Sequence, residues 1–265
     1  MKKALATIVL AVCVLYGAEA FGTPSTHVWS PSTDIQAYGV GHITADMYVP
    51  VKNDSESTPA TRPGTVTNLG LTVGVFPYEK LGLEVGFDHI AGFGDYDTYP
   101  LYFNAKLGVP EGALGANTPA LAIGSYMIGT KSGGESRAGK TPKIGTDVDI
   151  YYAKAAKTIG NLGRFSVGYY TGNKSLLVDE NGKADEEGVL LAWERTMSEI
   201  SDNLWLCVDY MGGDSSFGAL AYGFSWKFAP NTSVIFGYID QNNDDIAALE
   251  DSFTVQVDID FDIFK

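Results

Sequence analysis

The stretch SFTVQVDIDFDIFK, residues 252–265, decides the fold. Apolar side chains take every second position, namely Phe253, Val255, Val257, Ile259, Phe261 and Ile263, and polar side chains fill the gaps, among them Asp258, Asp260 and Asp262. Successive side chains of a β-strand point to opposite faces. The stretch therefore predicts a strand with one wholly apolar face and one face that carries three carboxylates.

The first twenty residues have the three parts of a secretory signal peptide. Lys2 and Lys3 give a positive start, residues 4–15 form a short apolar run, and Ala18-Glu19-Ala20 is a small-x-small cleavage site. A membrane-spanning helix needs about 20 apolar residues, more than this run supplies. We therefore expect an exported protein whose mature chain has about 245 of the 265 residues.

Composition narrows the function further. The formal net charge of −14 disfavours nucleic acid as a partner, because phosphates would be repelled. Cys207 is the only cysteine after the signal, so the mature chain cannot form an internal disulfide. An exported chain of this size without disulfides must be stabilised by a regular fold.

Alternation with a period of two recurs along most of the chain. About twelve segments have roughly 9–11 residues, the length that a tilted strand needs to cross a bilayer. They lie near residues 40–49, 65–76, 81–90, 99–109, 119–129, 147–159, 164–172, 188–197, 204–212, 217–228, 233–240 and 252–264. The sequence therefore predicts an all-β chain with almost no helix.

The connections between these segments alternate in length and chemistry. Short turns rich in Gly, Pro and Asn occupy residues 77–80, 160–163, 198–203 and 229–232. Longer polar loops occupy residues 50–64, 91–98, 130–145, 173–187, 212–216 and 241–251. Short and long connections should collect at opposite ends of the strands, although residues 110–118 form a longer link on the short side.

A signal peptide, an even strand count and alternating connections together resemble a bacterial outer-membrane β-barrel of the porin-like kind, as found in Gram-negative bacteria. The resemblance covers residues 40–265 and identifies no subfamily. It implies a signal peptide at residues 1–20, a periplasmic segment at 21–39 and a transmembrane up-and-down antiparallel barrel at 40–265. Such proteins usually end on an aromatic residue, whereas here Lys265 follows Phe264.

A soluble β-sandwich is the competing fold, but its strands average five or six residues, shorter than these. The aromatics near the strand ends, among them Tyr78, Phe165, Tyr169, Trp205 and Phe228, suit the interfacial girdles of a barrel. Because charge on the lipid face is costly, the charged strand residues should point inward. In residues 147–159 either Asp149 or Lys154 must share a face with apolar neighbours, and we place Lys154 inward.

This rule predicts a charged lumen. The predicted pore-lining residues are His42, Asp46, Glu84, Asp88, Lys106, Lys154, Arg164, Glu194, Asp209, Lys227, Asp258, Asp260 and Asp262. Eight carboxylates against four lysine and arginine side chains favour cations in a narrow water-filled pore. The alternative is a closed barrel whose opposite charges pair across the lumen.

Catalytic and metal chemistry have weaker signals. His42 and Ser225 both point inward, but no spacing marks them as a nucleophile and its base. Residues 240–251 begin like a calcium loop, yet Asp245 replaces the glycine that its turn requires. We therefore expect no enzyme, no cofactor and no metal site.

The stretch GTPSTHVWSPSTDIQ, residues 22–36, precedes the first strand. It either enters the lumen as a plug anchored by Trp29 or hangs in the periplasm as a tether. Because terminal polar segments are usually loosely attached, we predict a tether.

The sequence as a whole predicts an outer-membrane channel for passive diffusion of small hydrophilic solutes, with a weak preference for cations. Its partners are outer-membrane lipid and those solutes, and an oligomer is possible. The alternatives are a structural or surface-interaction barrel without an open pore and, less favoured, a barrel enzyme.

Overall fold

Twelve β-strands form in the computed structural model, which describes residues 26–52, 62–133, 145–246 and 249–263. The strands are β1 (Val40–Pro50), β2 (Val66–Gly74), β3 (Gly82–Ala91), β4 (Leu101–Val109), β5 (Ala120–Gly129), β6 (Ile150–Thr158), β7 (Arg164–Thr171), β8 (Glu187–Thr196), β9 (Leu204–Met211), β10 (Ala219–Ala229), β11 (Thr232–Gln241) and β12 (Ser252–Asp262). Within the described residues no helix is long and apolar enough to cross a membrane. The predicted signal peptide and Phe264 lie outside this part of the chain.

The strands pair in sequence order and close into a single antiparallel barrel. Strand β12, the alternating stretch at the end of the sequence, closes the ring against β1, with Val40 opposite Asp262 and Pro50 opposite Ser252. Closure leaves no free sheet edge, so every strand has a hydrogen-bonded neighbour on both sides. The predicted fold and strand count are confirmed.

Short and long connections lie at opposite ends of the barrel, as predicted. The turn end carries residues 75–81, 110–119, 159–163, 197–203 and 230–231. The loop end carries residues 51–52, 62–65, 92–100, 130–133, 145–149, 172–186, 212–218, 242–246 and 249–251. With an even number of strands, the beginning of β1 and the end of β12 both lie at the turn end.

The outer surface of the barrel is apolar and its interior is polar. In β10, Leu220, Tyr222 and Phe224 are exposed, whereas Ala221 and Ser225 are buried. The other strands follow the same rule, with exposed side chains such as Leu69, Phe103, Ile123, Val167, Val208, Phe236 and Phe253. This is the inverse of a soluble core and the arrangement of a membrane-spanning barrel.

The start of β6 explains why its faces were hard to assign from sequence. Lys154 is 3% exposed and Tyr151 is 54% exposed, so the lysine points inward as predicted. Asp149 has a positive φ of 51° and lies before the strand, which begins at Ile150. The aspartate therefore shares no face with the apolar residues of the strand.

The assignment of Trp205 to an aromatic girdle was wrong. Tyr78, Phe165, Tyr169 and Phe228 are exposed, but Trp205 is only 1% exposed. Its indole Nε1 donates a hydrogen bond to Glu194 Oε2 at 3.1 Å. A tryptophan can point into the barrel when its N–H has a buried acceptor, and the sequence does not show that acceptor.

Candidate functional site in the barrel lumen

The structure places all the charged side chains of the predicted pore on the inner side of the wall. Those buried are His42, Asp46, Glu84, Lys106, Lys154, Glu194, Asp209 and Asp258, while Asp88, Arg164, Lys227 and Asp260 are partly buried and Asp262 lies at the rim of the turn end. Their inward direction follows from the alternation of the strands. That they line a conducting path stays a prediction.

Residues 26–39, the lumen segment, run inside the barrel and emerge at the turn end, where Ala37 and Tyr38 are exposed. The backbone N–H groups of Val28 and Ser30 donate to the carboxylate of Asp209 at 3.0 and 2.6 Å. From β12, three strands away from Asp209 on β9, Gln256 Nε2 donates to the carbonyl of Val28 at 2.8 Å. The prediction of a free tether is wrong for these residues, because wall side chains satisfy their backbone groups.

Three basic side chains of the wall also bind the lumen segment. Lys154 Nζ donates to the carbonyl of Pro31 at 2.8 Å, and Lys106 Nζ donates to the carbonyl of Asp34 at 2.7 Å. Arg164 Nη1 contacts both carboxylate oxygens of Asp34 at 2.7 and 2.8 Å. These cations come from β4, β6 and β7, so one side of the wall holds the segment electrostatically.

Trp29 anchors the segment toward the loop end, the role foreseen for it in the plug alternative. Its ring lies 6.1 Å from the rings of both Tyr48 and Phe217, centroid to centroid. Its Nε1 donates to the carbonyl of Phe217 at 2.9 Å. The apolar body and the polar N–H of the indole are therefore both satisfied.

At the turn end the segment joins β1 beside the last residue of β2. Gly39 has φ 73° and donates its N–H to the carbonyl of Gly74 at 2.9 Å. A Cβ on Gly74 would collide with the carbonyl oxygens of Gln36 and Ala37. Gly74 is thus required for the close approach of the segment to the wall.

Within the part of the chain that the structure describes, the segment lines two chambers of the lumen. The loop-end chamber has a volume of about 160 Å³ and is bordered by Val28, Trp29 and Pro31. The turn-end chamber has a volume of about 980 Å³ and is bordered by residues 33–38. Among the described residues His42 alone lines both chambers.

Two carboxylates face the loop-end chamber with neutral partners. Asp46 accepts from Thr44 Oγ1 at 2.5 Å and from Asn68 Nδ2 at 3.2 Å. Asp88 accepts from the same amide group at 3.1 Å and from Asn104 Nδ2 at 2.8 Å. In the described part of the chain the partners of these carboxylates are amides and hydroxyls, that of Tyr48 included, and no cationic side chain pairs with them.

His42 lies between two carboxylates at the seam of the barrel. Its Nδ1 is 2.8 Å from Asp260 Oδ1, and its Nε2 is 3.2 Å from Asp258 Oδ1. Both ring nitrogens of His42 therefore face carboxylates and not Ser225, whose Oγ has no hydrogen-bond partner within the described structure. The geometry therefore shows no nucleophile and base pair here.

The arrangement also fits no metal centre in the part of the chain that the structure describes. No group of three or more His, Cys, Asp or Glu side chains is positioned to hold an ion there. In the calcium-like loop, Asp251 is instead bound by Lys52 Nζ at 2.8 Å.

Sequence reasoning missed the polar partners that organise the lumen. Trp205 binds Glu194, Gln256 binds Val28, and Asp34 binds Arg164. Lys106 and Arg164 already face Glu84 and Glu194 on adjacent strands. The charges of the wall therefore gave no local signal for the contact of Arg164 with Asp34.

Comparison with known proteins gives structural similarities only. No protein-family model and no curated protein sequence matches the chain. An outer membrane channel from Pseudomonas putida F1 is 12% identical with a TM-score of 0.44, covering 86% of this chain and 97% of its own. OmpF of Salmonella typhi, in a complex with daunomycin, is 9% identical with a TM-score of 0.41, covering 84% and 96%.

A mutant porin of Rh. blastica is 16% identical with a TM-score of 0.37, covering 74% of this chain and 55% of its own. Because these TM-scores are low, the architecture rests on the pairing of this chain's own strands. By its closed ring of twelve strands and its apolar outer surface, the chain has the fold of an outer-membrane-type β-barrel.

Proposed function

We propose that this protein is an outer-membrane channel through which small hydrophilic solutes diffuse passively, with a weak preference for cations. The observation that carries the proposal is the inverted barrel, apolar outside and charged inside, with a turn-end chamber of about 980 Å³. An apolar belt suits lipid, and a polar interior suits water and solutes. Passive diffusion requires no catalytic group.

The cation preference rests on how the lumen charges are paired. Lys106 lies 3.1 Å from Glu84, and Arg164 lies within 3.2 Å of both Asp34 and Glu194, so these cations are compensated. Asp46 and Asp88, by contrast, face the loop-end chamber with amide and hydroxyl partners. Uncompensated carboxylates raise the local concentration of cations and oppose anions.

Conductance in a planar lipid bilayer tests both statements. We expect discrete conductance steps and, under a salt gradient, a reversal potential of the sign that cation preference dictates. The double variant Asp46→Asn with Asp88→Asn should move this potential toward zero. The exposed Asp245→Asn removes a loop charge away from the lumen and should leave the potential unchanged.

The absence of conductance steps contradicts the channel, and an unchanged reversal potential in the double variant contradicts the role of the two aspartates.

A second candidate, a barrel without an open pore that acts as a structural or surface-interaction protein, is favoured by one observation: the lumen segment lies between the two chambers. That candidate predicts no conductance under any of these conditions.

A further inference from the structure

The inner wall binds the backbone of the lumen segment as well as its side chains. Asp209 and Glu84 accept the N–H groups of residues 28–30 and 36, at distances from 2.6 to 3.3 Å. Lys154, Lys106 and Gln256 donate to the carbonyls of residues 31, 34 and 28, at 2.7 to 2.8 Å. The wall thus has the acceptors and donors of a surface that binds an extended peptide.

The barrel does not need this segment to close. The twelve strands form a complete ring by themselves, and between the segment and the wall the bridges include only an isolated pair, Tyr38 with Gly74. The apolar contacts of the segment come from Val28, which lies in a buried cluster with Trp205 and Cys207, and from Trp29, which packs against that cluster and a second one. Removal of the segment would therefore leave every strand ladder intact.

Release of the segment is also electrostatically feasible. The wall charges that it contacts, among them Asp209, Lys154 and Arg164, would then face a water-filled lumen and be hydrated. Burying a charge pair costs desolvation that its mutual attraction offsets only in part, so docked and released states can lie close in free energy. Gly39, with φ 73°, lies at the junction between the segment and β1.

We propose that the lumen segment is a displaceable plug, docked on this peptide-binding surface, and that the channel conducts fully only after the plug leaves. The segment pivots near Gly39 at the turn end, where it joins β1. This inference rests on the proposed channel function. Its occupant is a part of the same chain, so the device is an internal gate.

The native Cys207 allows the plug to be locked in the full-length protein. Val28 N and Cys207 Sγ both contact Asp209 Oδ2, at 3.0 and 4.0 Å, and the two side chains share one cluster. In Val28→Cys, a disulfide with Cys207 should hold the plug docked. We expect low conductance after oxidation and a reversible rise on reduction, whereas Val28→Cys with Cys207→Ser should not respond to the reductant.

A second variant weakens docking from the plug itself. Asp34→Asn removes the two-oxygen contact with Arg164, which keeps Glu194 as a partner. We expect the ratio of docked to released plug to fall about tenfold, with a matching rise in time-averaged conductance. The control Asp202→Asn removes an exposed charge in the turn between β8 and β9 and should behave like the wild type.

The outcomes separate the two proposals. If reduced Val28→Cys and Asp34→Asn are both silent, the channel itself is wrong. If both conduct, but oxidation changes nothing and Asp34→Asn equals Asp202→Asn, the channel stands and the displaceable plug is wrong. If the disulfide does not form, the comparison of Asp34→Asn with Asp202→Asn decides alone.

Discussion

At the scale of single residues, Asp209 shows how one inward side chain can order a segment that is remote in sequence. Its two oxygens accept three consecutive backbone N–H groups, those of Val28, Trp29 and Ser30. Hydrogen bonds to a charged acceptor contribute about 1.5–3 kcal/mol each, more than neutral ones. Asp209, which the sequence predicts to be a pore-lining charge, thus holds the lumen segment in place.

Asp251 has a comparable role at the loop end. Its carboxylate is 2.8 Å from Lys52 Nζ and accepts the N–H of Gln241 at 3.0 Å and the hydroxyl of Tyr238 at 3.2 Å. Burial raises the pKa of Asp251, but the hydrogen bonds, foremost that from Lys52, outweigh burial and hold the pKa below its usual value. These bonds tie the loop before β12 to the ends of β1 and β11.

This lowered pKa predicts a pH dependence of stability. Because the folded pKa lies below the unfolded value of about 3.9, the contribution is complete well above pH 3.9 and is lost as the pH falls through the folded value. At pH 7 we expect Asp251→Asn to be less stable by about 1 kcal/mol, a modest figure because Lys52 is partly exposed to screening solvent. The difference should shrink at about pH 3.

Urea unfolding of protein refolded into vesicles measures this difference at both pH values. Asp245→Asn, in the same loop but exposed, should match the wild type at each. A deficit of Asp251→Asn that is equally large at low pH would show that the ion pair with Lys52 is not its cause.

At the scale of the strand, the outward face should tolerate charge only near its ends. Val167 lies in the middle of β7 and is 60% exposed, whereas Val189 lies near the loop end of β8 and is 43% exposed. A lysine at the midplane of the lipid face costs about 2–4 kcal/mol, and one near the interface about 0–1 kcal/mol. We expect Val167→Lys and Val189→Lys to differ accordingly in urea unfolding from lipid vesicles.

The same two variants in detergent micelles give the control, since a micelle adapts to a charged side chain more readily than a bilayer. Equal costs for the two positions in vesicles would mean that this surface does not face lipid. The substitution pair thus tests the membrane environment of the barrel without reference to any transport activity.

The strands could be predicted because their signal is local. Alternation over residues 252–264 or 81–90 is complete within one segment, and the observed strands β12 and β3 agree with it to within about two residues. Alternation also fixed which side chains point inward, Lys154 included. The direction of the aromatic residues was harder to predict. Trp205 points into the barrel because Glu194 accepts its N–H, and the sequence does not show that the two residues are close.

The position of the lumen segment could not be predicted because the residues that bind it are far away in the sequence. Val28 and Asp209 are separated by 181 positions, and Asp34 and Arg164 by 130. No period links such pairs, and the polar residues of the segment also suit a free tether. Only the closed barrel brings their partners together, so the site depends on the fold rather than on a motif.

At the scale of the whole molecule, the structure is a closed ring with an independent insert. The strands share one continuous ladder and should open together, whereas the lumen segment is held by side chains. Parts of a protein that open separately exchange their amide hydrogens at separate rates. The two parts should therefore differ in hydrogen exchange even though both are buried.

We predict that the amides of Val28, Ser30 and Gln36 exchange at least about tenfold faster than those of β12, although all are hydrogen-bonded. Hydrogen exchange followed by mass spectrometry on the protein in vesicles measures both in one sample. Asp34→Asn should accelerate the segment further and leave β12 unchanged, because the barrel ladder has lost nothing. Equal exchange rates of the segment and β12 would instead mean that plug and barrel open as one unit. Displacement of the plug would then require the barrel itself to unfold, which contradicts an internal gate.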